Sequence, residues 1–159
     1  MAPRHFRNPQ FCQQLLDMLK AAGLPPSRLC VEITEGALID DPERTCDLLN
    51  ELRSHGMSLA LDDFGTGYSS LGYLHRFPLL TLKIDRSFVA PLTAPSANQG
   101  SASAAVVRAV VALAGSLGLS VVAEGIETQA QADALCALGC HLGQGFLFAK
   151  PGPLPASSA

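Results

Sequence analysis

The sequence predicts an α/β domain, a partial TIM-like (β/α) barrel of about five parallel strands with flanking helices. Three observations carry this. Runs in which large aliphatics alternate with small or polar residues are separated by stretches of helical periodicity, so strand and helix alternate along the chain. The runs recur at about 30 residues per unit, the spacing of a (β/α)8 barrel. A hydrophobic content of 48% with 16% charged residues suits strands buried on both faces. Alternation of this kind requires parallel pairing through right-handed crossovers.

In chain order, Asn8-Pro9 opens a helix, with Asn8 as N-cap and Pro9 at the first helical position. Phe11, Leu15, Leu16, Met18 and Leu19 form its apolar face, and Gly23 ends it. Pro25-Pro26-Ser27 is a turn, and Leu29 to Thr34 is a strand with Leu29, Val31 and Ile33 opposite Cys30 and Glu32. Asp41-Pro42 opens a second helix with Leu48, Leu49 and Leu52 on its face and Gly56 at its end. Ser58 to Asp62 is a strand with Leu59 and Leu61 opposite Ser58, Ala60 and Asp62. It stops at Asp62 and Asp63 and enters a loop with Gly65 and Gly67, then a short helix from Ser70 to Arg76. Thr81 to Asp85 is the third strand. Pro91 to Ser103 is a flexible surface loop, because the pattern resumes after it. A helix from about Ala104 to Leu117 leads through Gly118 to the strand Ser120 to Glu124. Thr128 and Gln131 form a capping box for a helix ending at Gly139. A fifth strand lies around His141 to Phe146, and residues 151–159 form a tail to a domain spanning 1–150.

Composition excludes several classes. A net charge of −3 gives no general attraction to nucleic acid polymers or acidic membranes. Five cysteines, odd in number and without a CxxC pair, read as reduced thiols of a cytoplasmic protein. Cys136 and Cys140 are four apart but lack a matching pair for zinc, and the four histidines share no spacing. The amino end is polar and basic rather than a signal peptide. Ala104 to Ala123 carries Arg108 and is broken by Gly115, Ser116, Gly118 and Ser120, so it reads as helix plus strand, not a membrane span.

Glu32, Asp62, Lys83, Asp85 and Glu124 each end a strand on the face opposite its large aliphatics, which in a barrel is the interior at the catalytic rim. Glu35, Asp63 and Glu127 lie just beyond, in loops. Seven of 14 acidic residues thus gather beside one lysine, an arrangement that calls for a cation. Oxygen donors without His or Cys suit Mg²⁺ or Mn²⁺. Two chemistries fit this spacing. One is metal-assisted phosphodiester hydrolysis; the other is proton abstraction beside a carbonyl, with Lys83 as base and the acids holding Mg²⁺.

The segments Glu32-Ile-Thr-Glu35, Asp62-Asp63-Phe64-Gly65-Thr66-Gly67, Lys83-Ile84-Asp85, Ala123-Glu124-Gly125-Ile126-Glu127 and Gln144-Gly145-Phe146 occur in an order and spacing that resembles the EAL domain, a family of bacterial signalling phosphodiesterases acting on cyclic di-GMP. The resemblance runs to about Pro151. It implies that Glu32, Asp62, Asp63 and Asp85 serve a pair of divalent metals and their water network. It implies Glu124 as general base or water-orienting acid, and Lys83 as holder of the attacking water and the phosphate. Glu35 would position the loop from Phe64 to Ser70 through Gly65, Thr66 and Gly67, while Glu127 and Gln144 would line the rim near substrate. The implied product is linear pGpG. No Glu-Ala-Leu-x-Arg motif occurs in the chain, and the family's metal-binding Asn would fall before Met1. The chain therefore aligns with the last five β/α units of the domain, without the first three strands. That alignment leaves strand edges open to a second copy of the chain, a homo-oligomer. It also predicts weak or absent turnover by this chain alone, with any membrane tether of a parent protein before Met1. A non-catalytic module that binds cyclic di-GMP or a protein is the alternative reading, and a truncated product persisting through oligomerisation is a third. Every acid of the covered motifs is present, which favours the enzyme lineage.

Overall fold

A computed structural model describes residues 8–39, 41–65, 74–93 and 102–152. The expected 151–159 tail beyond Gly152, Thr66 and Gly67, most of the Ser70–Arg76 helix and most of the Pro91–Ser103 loop lie outside the described residues.

The first helix, α1 (Phe11–Ala21), starts later than Asn8-Pro9 predicts. The Asn8 side-chain oxygen accepts from the Gln10 amide at 3.0 Å, and the Phe11 amide donates to the Asn8 carbonyl at 3.1 Å. Asn8 therefore closes a turn ahead of the helix instead of capping it, the local bond that short polar side chains favour. Cys12 and Leu19 occupy the buried stripe, whereas Met18, expected there, is exposed. Strand β1 (Cys30–Thr34) buries Val31 and Ile33 and leaves Cys30 and Glu32 exposed, as the alternation predicts.

Between β1 and the second expected helix lies a short helix, α2 (Glu35–Ile39), so Glu35 opens a helix instead of sitting in a loop. Helix α3 (Pro42–Ser54) begins at Asp41-Pro42 as expected, the Asp41 carboxylate accepting from the Arg44 amide at 3.2 Å. Strand β2 (Ser58–Phe64) continues past its expected end at Asp62. Strand β3 (Thr81–Ile84) stops one residue early, because Asp85 caps the short helix α4 (Arg86–Val89). Helix α5 (Ala102–Leu117) leads to β4 (Ser120–Ala123), then α6 (Gln129–Ala137) and β5 (Leu142–Gly143).

The five strands form one parallel sheet in chain order, β1-β2-β3-β4-β5. Right-handed crossovers between sequential neighbours place all helices on the same side, the arrangement of a barrel wall rather than a doubly wound sheet. The register shows the consequence. Val31 pairs with Leu59, Leu61 with Leu82, Leu82 with Val121 and Ile84 with Ala123, a continuous aliphatic row. Ile33, Leu59, Leu82 and Ile84 in it are fully buried. Each such side chain contributes about 1.5–3 kcal/mol, so the core lies on the helix side. The opposite face carries Glu32, Ala60, Thr81, Lys83 and Ser120, small or polar groups, with Val122 beside Lys83. Among the described residues no helix is long and apolar enough to cross a membrane.

Candidate active site

Lys83 is the organising side chain. It sits on β3, in the middle of the sheet, with only 6% of its surface exposed. Its ammonium contacts Glu32 Oε1 at 2.6 Å and Asp62 Oδ1 at 3.4 Å, and pairs closely with Glu124 Oε1. Strands β1, β2 and the end of β4 thus each deliver one carboxylate to one cation. Glu32 stands two strands away, and the residue beside it on β2 is Ala60, whose small side chain leaves the path to Lys83 open.

Burial alone would lower the Lys83 ammonium, but its bonds to Glu124 and Glu32 and the charge of Asp62 raise it above the ordinary lysine value. Glu124 is raised as well, which for a carboxylate disfavours the charged form. Burial raises it, and although Lys83 pulls it down, Asp62 and Glu32 push it up again. One shared cation does not neutralise three acids.

Asp62 and Asp63 sit in a bulge. The step from Leu61 to Phe64 on β2 faces the step from Leu82 to Ile84 on β3, one residue more on β2. Asp63 absorbs it with φ of 56°, the single positive-φ non-glycine residue among those described, and its amide donates to Asp62 Oδ1 at 3.1 Å. The bulge is why the strand runs on to the buried Phe64 instead of stopping at the acids. It also re-aims Asp63, whose carboxyl is raised by burial and then by Asp62 and Asp85.

Asp85 is engaged elsewhere. Its carboxylate accepts from the Ser87 amide at 2.9 Å, and bonds from Ser87 lower its pKa. It belongs to the rim by proximity to Asp63, not as a strand-end acid. Glu35 is 6% exposed, and neither carboxylate oxygen has a hydrogen-bond partner among the described residues. Most of the loop it was expected to position, Phe64 to Ser70, lies outside them. Gly65 is described, with φ of 94° and the Phe88 ring 3.2 Å from where a Cβ would stand. Phe64 points into the core. Glu127 pairs with Arg86 at 3.2 Å, with both side chains open to solvent. Gln144 does not stand free at the rim: its Nε2 donates to Glu124 Oε1 at 2.8 Å.

Arg86 was missed by sequence reasoning. With Glu124, Glu127, Gln144, Phe146 and Lys150 it lines a cleft of about 500 Å³ beside the acids. Its only sequence signal is its position directly after Asp85. Gly125 is what lets the Arg86 stem pass, since a Cβ there would come within 2.6 Å of it and the backbone φ is 68°.

The rim offers carboxylate oxygens without imidazole or thiol, and those carboxylates already fan around one positive charge. This donor chemistry fits a hard divalent cation such as Mg²⁺ or Mn²⁺. Glu32, Asp62 and Asp63 could hold such an ion, with Asp85 at its margin.

The sequence pattern of the EAL domain matches residues 1–151. NbdA of Pseudomonas aeruginosa, a cyclic di-GMP phosphodiesterase, is 46% identical over 138 residues, 87% of this chain and 17% of NbdA. The solved MucR phosphodiesterase in complex with cyclic di-GMP superposes with a TM-score of 0.88 at 40% identity, over 97% of this chain and 60% of that one. BlrP1 of Klebsiella pneumoniae, solved with manganese and cyclic di-GMP, gives a TM-score of 0.81 at 38% identity, over 92% of this chain and 36% of that one. The chain therefore spans less than two thirds of each of these relatives.

Proposed function

The chain belongs to the EAL domain family, and from that premise we propose that its acidic rim serves metal-dependent hydrolysis of cyclic di-GMP to linear pGpG. The observation that carries the reading is the convergence of Glu32, Asp62 and Glu124, from three strands, on the buried Lys83. Bound Mg²⁺ or Mn²⁺ would supply a Lewis acid for the phosphodiester and lower the pKa of an attacking water. Glu32, Asp62, Asp63 and Asp85 would hold the metals. Glu124 would serve as general base, accepting a proton at a carboxylate oxygen. Its raised pKa suits a base, because the carboxylate is a better proton acceptor than an ordinary glutamate. Gln144 fixes the orientation of that carboxylate through its 2.8 Å bond. Lys83 keeps the acids together and presents positive charge to the phosphate. Glu127 borders the substrate cleft with Arg86.

These five β/α units, residues 1–150, make up the later part of the domain, and a complete domain with these residues is active. Alone, without a Glu-Ala-Leu-x-Arg strand, the chain turns cyclic di-GMP over weakly. Thermal unfolding with Mg²⁺, with and without cyclic di-GMP, followed by chromatography for pGpG, tests this. A ligand that binds only the folded chain raises its melting temperature with concentration. The expected result is a rise, with slow pGpG formation that Glu124→Gln abolishes. A rise without product replaces hydrolysis by binding alone. Neither rise nor product overturns the reading, and rapid turnover overturns the statement about the isolated chain.

A further inference from the structure

Away from the rim, α1 and α3 bring together three side chains of a different chemistry. The Cys12 thiol, a carboxylate oxygen of Glu51 and a ring nitrogen of His55 all lie within 4.8 Å of one another, the only such trio of His, Cys, Asp or Glu donors among the described residues. We propose that this trio is a zinc site that clasps α1 to α3.

Its location separates it from the acids already described. Glu51 and His55 are at the carboxyl end of α3, which passes through Gly56 and Met57 into the amino end of β2. The acidic rim lies at the carboxyl ends of the strands, and seven residues of β2 separate the two ends by roughly 20 Å. The donor set also differs. A thiolate and an imidazole select zinc-like ions over Mg²⁺, which prefers oxygen ligands.

The local geometry favours closure. Glu51 and His55 are four residues apart, at the end of one helix, and so project from the same face. Both are exposed, while Cys12 is held at 1% exposure on the facing helix. Tetrahedral zinc places S, N and O donors roughly 3.3–3.8 Å apart, so rotation of the two exposed side chains by about an ångström completes three corners. Water takes the fourth. Solvent reaches the site directly and along a cleft of about 190 Å³ that Glu51 lines with Asn8, Pro9, Arg44, Asp47 and Leu48. Without metal, burial and then Glu51 push the Cys12 thiol up to about 11, so it rests as a neutral thiol bonded to Glu51. Zinc binding forms the Zn–S bond and releases that thiol proton to solvent.

The test uses the reduced, chelator-treated chain titrated with Co²⁺, then Zn²⁺. A thiolate ligand gives Co²⁺ a near-ultraviolet charge-transfer band that carboxylates at the rim do not produce. The expected result is one equivalent of Co²⁺ with that band, displaced by Zn²⁺, and a zinc-dependent rise in melting temperature. Cys12→Ser and His55→Gln should each weaken binding by more than the roughly tenfold to hundredfold that loss of even an outer ligand contact costs. Cys30→Ser, which alters an exposed thiol outside the trio, should leave the band unchanged. His55 is exposed, so His55→Gln decides the matter even where Cys12→Ser does not fold. Absence of the band, or a band that survives His55→Gln, overturns the proposal and leaves a thiol–carboxylate hydrogen bond beside a solvated histidine.

Discussion

At the scale of single residues, Lys83 and Asp85 hold their surroundings in opposite ways. Lys83 compensates three carboxylates with one charge, so Lys83→Met leaves them facing one another. Removing one partner of a buried pair costs about 3–5 kcal/mol. Glu32 is half exposed and screened, which moves the expected loss toward about 3 kcal/mol in urea unfolding at pH 7. The loss should shrink on acidification, as Glu124, whose pKa is already raised, takes up a proton and ceases to repel its neighbours. Asp85 acts instead through the first turn of α4. Asp85→Ala removes an N-cap and should lower stability by about 1 kcal/mol at neutral pH. Its native pKa is depressed, so its contribution is complete above the unfolded carboxylate value, about 3.9, and is lost as pH falls through the native value. Urea titrations of the two chains should therefore begin to converge below about pH 4 and meet once the pH is below the native value. A stability gap that persists there would assign Asp85 a role other than this cap.

At the scale of elements, the loop bearing Glu124 and Glu127 is pinned by the helix that follows it. Thr128 Oγ1 accepts from the Gln131 amide at 3.3 Å, while Gln131 Oε1 accepts from the amides of Thr128 at 3.0 Å and Glu127 at 2.8 Å. Thr128→Ala should cost about 1 kcal/mol in urea unfolding. Gln131→Ala should cost more, since it strands two amides beneath a buried side chain. This capping box was legible from Thr-x-x-Gln, as the start of α3 was from Asp41-Pro42, because both depend on bonds spanning three or four residues. Strands β1, β3 and β4 were legible to within a residue from their alternation. The extension of β2 was not, because a bulge at Asp63 breaks the period of two without ending the pairing. Nor was the length of β5. The His141–Phe146 pattern suggests six residues, but Gly145 turns against the Ile126 backbone and only Leu142 and Gly143 pair. At the site, the gathering of acids followed from strand ends alone. The bond from Gln144 to Glu124 did not, since it joins side-chain tips from separate strands whose meeting depends on how β5 docks.

At the scale of the whole molecule, the described sheet has two edges, β1 and β5, each paired on one side. Leu142 is exposed on β5, and Phe146 and Phe148 are exposed beyond it. Such edges template pairing with another chain. The isolated chain should therefore self-associate with rising concentration in sedimentation velocity, and Leu142→Lys should shift it toward monomer. A monomer across a hundredfold concentration range would show that the edges are not sticky.

Strand order equal to chain order also governs how the molecule can form. Each new strand pairs with the one synthesised just before it, so the sheet can grow by accretion as the chain emerges, without waiting for a distant partner. Lys83 meets Glu32 and Asp62 as soon as β3 docks, and Glu124 joins with β4. Gln144 arrives last, directly after the two-residue β5. A nascent chain halted before Leu142 would hold every acid around Lys83 yet leave the Glu124 carboxylate without its Gln144 bond.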